Sequence, residues 1–151
     1  LLVYHEAVSS TKKSPQKFVI IMKKDEGDLM ARVYDLPFST VSTALVKKVL
    51  RKGGKEISLD QITSRLTGYS LAELKEWKKS DGSYGDFFRQ APAYHPNRTL
   101  ITGKICGVQI ETIQDPLMQE IRRLDRLADW LSKGKTVEQL VEKYQLKEEN
   151  S

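Results

Sequence analysis

The chain is poor in the residues that chemistry most often needs. One cysteine, Cys106, stands among 151 residues, which excludes an internal disulfide and any cysteine-built zinc cage. Two histidines, His5 and His95, exclude a histidine-rich metal centre, and the carboxylates fall in no recognisable metal-ligand spacing. Long apolar runs are missing too. The longest, Phe18-Val19-Ile20-Ile21-Met22, is five residues, far short of the ~20 that span a bilayer. Leu1-Leu2-Val3 is too short for the apolar core of a secretory leader and has no basic residues before it. A cytoplasmic protein without membrane partner, metal or cofactor is the expectation.

What is present fits one globular domain. The 39% apolar and 30% charged fractions suit a folded chain, and this length accommodates a single core. The net charge of +5 is mild and divides unevenly: +1 over residues 1–29 and +4 over 30–151. It permits a polyanionic partner without requiring one.

Residues 1–29 differ from the rest. The polar stretches 9–17 and 23–28 flank Phe18–Met22, which reads as a short strand with no partner segment. Met30 is taken to open the folded domain, 30–146. Residues 1–29 then form a poorly ordered or non-native extension, and 147–151 a disordered tail.

From Ser39 onward, helix signals follow one another. Ser39 caps a helix expected from Thr40 to Lys52, with Val41, Leu45 and Val49 one turn apart, flanked by Val46 and Leu50, and Gly53-Gly54 as its stop. Ser58 with Gln61, and Ser70 with Glu73, have capping-box spacing. They open helices through Ile62 and Leu66, and through Leu71, Leu74 and Trp77. Tyr84 to Gln90 carries Phe87 and Phe88 on one or two turns after an Asp81-Gly82-Ser83 turn. The strongest helix begins at Asp115-Pro116. Leu117, Ile121, Leu124, Ala128 and Leu131 form its apolar seam, widened by Met118, Leu127 and Trp130 and ended by Lys133-Gly134. Thr136 and Gln139 box a last helix with Val137, Leu140, Val141 and Tyr144. The fold expected is all-α: a small orthogonal bundle of five to six short helices. Alternation at Val108, Ile110 and Thr112 allows one minor β-hairpin within 100–113.

Several blocks together resemble a known family. They are Arg32-Val33-Tyr34, Phe38-Ser39, Leu66-Thr67-Gly68-Tyr69-Ser70, Phe87-Phe88, Pro96-Asn97-Arg98, Leu100-Ile101-Thr102-Gly103, Cys106-Gly107-Val108 and Asp115 to Arg122. In that order they resemble the prokaryotic domain of unknown function 2200, over about Met30 to Lys135. The resemblance implies a compact, mainly helical domain of the kind grouped with an uncharacterised pneumococcal protein, with residues 1–29 outside it. The chain departs from the family pattern near Gly53-Gly54 and from Lys78 to Gly85. The family implies no activity.

Three readings of function compete. The first is a non-catalytic binding or interaction module, monomeric or homodimeric, of unknown partner. The second is weak nucleic-acid binding through Lys47, Lys48, Arg51, Lys52 and Lys55, which one helix would gather on a face for phosphates. The helices around Gly68-Tyr69-Ser70 have a helix-turn-helix outline. The second of them, however, offers Lys75, Lys78 and Lys79 beside Glu73 and Glu76 rather than base-reading side chains. The plainer account makes these lysines the wet side of an amphipathic helix. The third is an enzyme or anion site using His95, Asn97 and Arg98, with an exposed histidine ring before Pro96 and Cys106 as the nearest nucleophile. Against it, Pro96-Asn97 reads as a turn or cap, and Arg98 as the partner of a nearby acid. Cys106 reads as a small buried hydrophobe, and Gly103 and Gly107 as turning points of the backbone. Glu120 and Asp125, among Arg122, Arg123 and Arg126, read as ion pairs on the polar side of the long helix.

Overall fold

In the computed structural model, which describes residues 32–148, six α-helices follow one another after a helical segment at 32–35. They are α1 (Phe38–Arg51), α2 (Glu56–Thr67), α3 (Leu71–Lys79), α4 (Tyr84–Arg89), α5 (Pro116–Ser132) and α6 (Val137–Tyr144). Between α4 and α5 run 3-10 turns at Pro96–Leu100 and Ile110–Thr112 and a hairpin of β1 (Lys104–Ile105) and β2 (Val108–Gln109). The mainly helical class and the minor hairpin are as the sequence implies. The strand read at Phe18–Met22 and the start at Met30 lie outside the described residues.

Where a cap can be completed locally, the sequence places it. Ser70 Oγ accepts from Glu73 N–H (3.1 Å) while Glu73 Oε1 accepts from Ser70 N–H (2.8 Å). Thr136 and Gln139 exchange the same two bonds at 3.1 and 2.9 Å. Asp115 Oδ1 accepts from Leu117 N–H (3.0 Å), with Pro116 in the first helical position.

Two expected starts are overturned. Helix α1 begins at Phe38 rather than after a Ser39 cap, because its first amide is satisfied from across the fold. Phe38 N–H donates to Gly82 O (2.8 Å) and Tyr84 N–H to Leu36 O (2.7 Å), flanking an antiparallel bridge between Pro37 and Ser83. Helix α2 begins at Glu56, so Ser58 lies inside the first turn and forms no box with Gln61. The preceding turn, closed by Gly54 N–H donating to Val49 O (3.0 Å), delivers the chain directly into that helix. Glu56 then meets the positive end of the helix dipole.

The core has an aromatic side and an aliphatic centre. Phe87 stacks between Phe38 and Tyr69 at 4.2 and 4.5 Å between ring centroids, and Trp77 meets it edge-on at 5.4 Å. Tyr69 reaches this cluster because Gly68 ends α2 in a left-handed conformation (φ 84°). A Cβ there would lie 2.7 Å from both backbone N and O of Ala93, so glycine is required twice over.

Helix α5 is the axis of the domain, packed by α1, α2, α4, α6, β1 and the turn at Ile110–Thr112. The expected seam is largely found: Ile121, Leu124, Ala128 and Leu131 are buried, while Leu117 is only half-buried. The expected polar side is not. Glu120, Arg122, Arg123 and Asp125 are 7, 4, 6 and 1% exposed. A helix enclosed on several flanks has little wet side, so these charges are interior pairs rather than surface ones.

Candidate functional site

The turn from His95 to Leu100 is built by its own side chains. His95 precedes Pro96 with extended backbone, as expected, but its ring is buried rather than exposed. Asn97 N–H donates to His95 Nδ1 (3.1 Å), which assigns the ring proton to Nε2; that nitrogen donates to Lys147 O at 2.6 Å. Asn97 Nδ2 donates to Gln145 O (2.9 Å). Arg98 Nε donates to Glu120 Oε2 (2.6 Å), its Nη1 to His95 O (2.9 Å), and its guanidinium lies 4.8 Å from the Tyr94 ring centroid. Glu120 Oε1 accepts from Arg123 Nη1 at 2.9 Å. The three residues are thus brought together, and together they tie α5 to the chain that follows α6. Both histidine nitrogens face backbone groups, so no carboxylate orients the ring as a base. Burial, and the Glu120 charge after it, pushes the Tyr94 hydroxyl well above its ordinary range; that hydroxyl donates to Phe88 O (2.6 Å).

Cys106 is a turn residue. Cys106 and Gly107 both have positive φ, 53° and 82°, the requirement of a two-residue type I′ hairpin between Ile105 and Val108. The thiol is therefore half-buried instead of fully enclosed, since the register directs Ile105 inward and leaves the turn at the edge. Among the described residues, no group of three or more His, Cys, Asp or Glu side chains is placed to hold a metal.

The basic face is rearranged in an informative way. Helix α1 ends at Arg51, so Lys52 is its C-cap and Lys55 precedes α2; the five cations do not share one helix. Lys48 is buried and 3.3 Å from Asp129 Oδ1, whose Oδ2 is 2.9 Å from Lys133 Nζ. Burial raises the Asp129 pKa, but the bond from Lys133 and the charge of Lys48 outweigh it, and the carboxyl is held below its ordinary value. The same ion pairs, with Gly54 against the Leu131 carbonyl, set the C-terminal ends of α1 and α5 side by side. Lys47, Arg51, Lys52 and Lys55 are exposed there, beside exposed Lys133 and Lys135. Among the described residues, Lys47, Lys52 and Lys55 make no ion pair. Leu50, which flanks the Val41–Leu45–Val49 stripe of α1, is 51% exposed at the same end.

Sequence reasoning missed what surrounds Trp130, which it assigned only to the core stripe. The ring is half-buried. Arg126 Cζ lies 4.9 Å from its centroid, Lys143 Nζ 5.3 Å, and Lys133 and Lys135 Nζ 5.8 Å each. Its Nε1 donates to the Tyr144 hydroxyl (2.8 Å), which fixes the plane of the indole. Arg126 and Lys133, four residues before and three after Trp130, sit over it by helical spacing alone, and this was the available signal. The two helices of the helix-turn-helix outline are present as α2 and α3, joined by Gly68-Tyr69-Ser70, but the basic side of the second is partly engaged. Lys78 on α3 is occupied by Glu56 and Asp60 at 2.8 Å, and these carboxylates raise its pKa against the lowering effect of burial.

A further concavity of about 440 Å³ opens between α2 and α6, lined by Gln61, Arg65, Leu71, Val137, Val141 and Glu148 among others. Leu71, the first residue of α3, is exposed at its rim.

The family model described as an uncharacterized protein conserved in bacteria (DUF2200) matches residues 32–142. The chain belongs to this family. The crystal structure of the uncharacterised pneumococcal protein SP1917 is similar to it at 59% sequence identity and a TM-score of 0.75, covering 76% of this chain and 93% of that one. No curated protein matches the chain. The His95–Arg98 turn, the hairpin and nearly all of α5 and α6 lie within the span shared with the DUF2200 family. No helix among the described residues is long and apolar enough to cross a membrane.

Proposed function

We propose that this DUF2200 member is a non-catalytic binding module whose ligand is a nucleic acid, held by the basic end that α1 and α5 share. The observation that carries this reading is the group of exposed lysines Lys47, Lys52, Lys55 and Lys135, which make no ion pair among the described residues, beside Lys48 and Lys133, which share Asp129. Lysines at helix C-termini complement the helix dipole, and that alone accounts for two or three of them. It does not account for Lys55, which stands at the opposite, positive end of α2. A surplus of like charge repels itself unless a partner neutralises it. The side chains with catalytic potential support the same reading, since His95, Asn97 and Arg98 are engaged in holding the fold.

Engagement of about four phosphates gives a slope near −3 for log affinity against log salt, so binding weakens about fifty-fold between 50 and 200 mM salt. Fluorescence anisotropy with a labelled oligonucleotide over that range measures it. Affinity that is absent at low salt, or flat across the series, rejects the proposal. Reversing Lys52 and Lys55 to Glu should abolish binding while leaving the helical circular dichroism unchanged.

A further inference from the structure

We infer that Trp130 is a stacking platform for an unpaired base, so that the nucleic acid this site selects is single-stranded. This rests on the nucleic-acid reading and deepens it. The indole stands on the last turn of α5, held in plane by its bond to Tyr144 Oη and only partly buried. Four cations from two helices and the intervening loop converge on it: Arg126, Lys133, Lys135 and Lys143. Asp129 pairs with Lys133, but Arg126, Lys135 and Lys143 make no ion pair among the described residues, and three such charges within 6 Å of one ring exceed what a single quadrupole offsets. A phosphodiester strand supplies the missing negative charge, while a base laid on the indole displaces lysine stems that are flexible by nature.

Duplex bases present only their edges in the grooves, and a flat ring cannot stack on them without opening the helix. Single strands offer their faces freely. Geometry at the patch therefore favours the unpaired form. The basic end of α1 lies beside the same turn of α5, which gives the strand a path from Trp130 across Lys133 toward Lys52.

The test uses the whole protein with three probes at low salt: an oligothymidylate of about a dozen nucleotides, a blunt duplex of the same length, and heparin as a polyanion without bases. The expectation is that the single strand binds more tightly than the duplex. Trp130→Leu should weaken the single strand about ten- to a hundred-fold and leave heparin unaffected, with Trp130→Phe restoring most of the loss. In a Trp77→Phe background, where Trp130 is the one tryptophan left, the oligothymidylate should quench its fluorescence and heparin should not. That measurement needs no substitution at the patch. Equal affinity for single strand and duplex overturns the inference, as does an equal loss of heparin and oligothymidylate binding in Trp130→Leu; both leave the nucleic-acid reading standing. Failure of all three probes to bind removes both readings, and so does preference for anionic phosphatidylserine vesicles over every nucleic acid.

Discussion

Glu120 is the single side chain whose loss the structure makes most costly. Its two oxygens accept from Arg98 Nε at 2.6 Å and Arg123 Nη1 at 2.9 Å, and its own side chain is 9% exposed. Glu120→Gln keeps the volume and removes the charge. One amide oxygen still accepts from one arginine, but the amide nitrogen turns a donor toward the other. The two arginines differ in their recourse. Arg98 is 25% exposed and keeps His95 O and the face of Tyr94, so part of its charge remains solvated or stacked. Arg123 is 7% exposed, and its Nε already lacks a hydrogen-bond partner. Breaking a buried pair typically costs 3–5 kcal/mol; with one arginine relieved, the lower figure of about 3 kcal/mol applies. Urea unfolding followed by helical circular dichroism, at unchanged m-value, measures this directly, and it corresponds to a fall of roughly 10 °C in melting temperature. An internal comparison sharpens the result. Arg89 and Asp86 form the same i, i+3 pairing at 52 and 50% exposure, so Asp86→Asn should cost no more than about 0.5 kcal/mol. Replacing Glu120 and Arg123 together by Leu should cost less than Glu120→Gln alone, because the one arginine then left without its carboxylate is Arg98, which is partly exposed and keeps His95 O and the face of Tyr94. A Glu120→Gln loss below about 1 kcal/mol, or one matched by Asp86→Asn, refutes the description of this network as interior.

Asp129 gives a pH signature. Its carboxyl is depressed by Lys133 and Lys48 despite burial, so its contribution is complete above the ordinary aspartate value and disappears as pH falls through the lowered folded value. Asp129→Asn should therefore lower stability at neutral pH and flatten the acid limb of the stability curve, as read by urea titrations from pH 7 down to 2. Tyr69 acts at the other extreme: burial first, then the Glu73 charge, pushes its hydroxyl up to about 12. Stability it contributes is intact below the ordinary tyrosine value near 10 and is lost as pH rises through about 12, so a 295 nm titration should show late ionisation that Tyr69→Phe removes. Gly68→Ala should cost about 2–3 kcal/mol, from the left-handed φ and the collision with Ala93 together, measured by urea unfolding. Cys106→Asn should stabilise by about 0.5 kcal/mol, because asparagine tolerates the left-handed first turn position better than cysteine does. An unchanged or lower urea midpoint contradicts that assignment.

The legible parts of this fold are those whose evidence is complete within four residues. A capping box needs only its two members, so Ser70 with Glu73 and Thr136 with Gln139 could be placed without knowing what the helices touch. Phe38 starts α1 because Gly82 and Tyr84, more than forty residues onward, meet the backbone at Leu36 and Phe38; no local pattern carries that. The same contrast governs the site. Arg126 and Lys133 are readable over Trp130 from helical spacing, whereas Lys135 and Lys143 arrive only because α6 folds back on α5. Lys48 looks like its neighbours in the basic run, yet Asp129 lies across from it and withdraws it from the surface.

Helix α5 shows why amphipathic logic reaches its limit here. A seam of period 3.5 locates one buried face correctly, but it says nothing about how many neighbours a helix has. Glu120, Arg122, Arg123 and Asp125 occupy the flanks of the seam, and five other elements close over those flanks besides the partner the seam itself requires. Charge in such a position must be neutralised from within. The helix does so by spacing: Glu120 with Arg123 and Arg122 with Asp125 are both i, i+3 pairs, and Arg98 arrives from the turn as the third member. That arrangement connects the two halves of the functional argument. Arg98 is occupied because an enclosed central helix needs its charge, and His95 because its ring holds the chain that follows α6. Lys47, Lys52 and Lys55, beside the open end of α1, make no ion pair among the described residues and stand exposed.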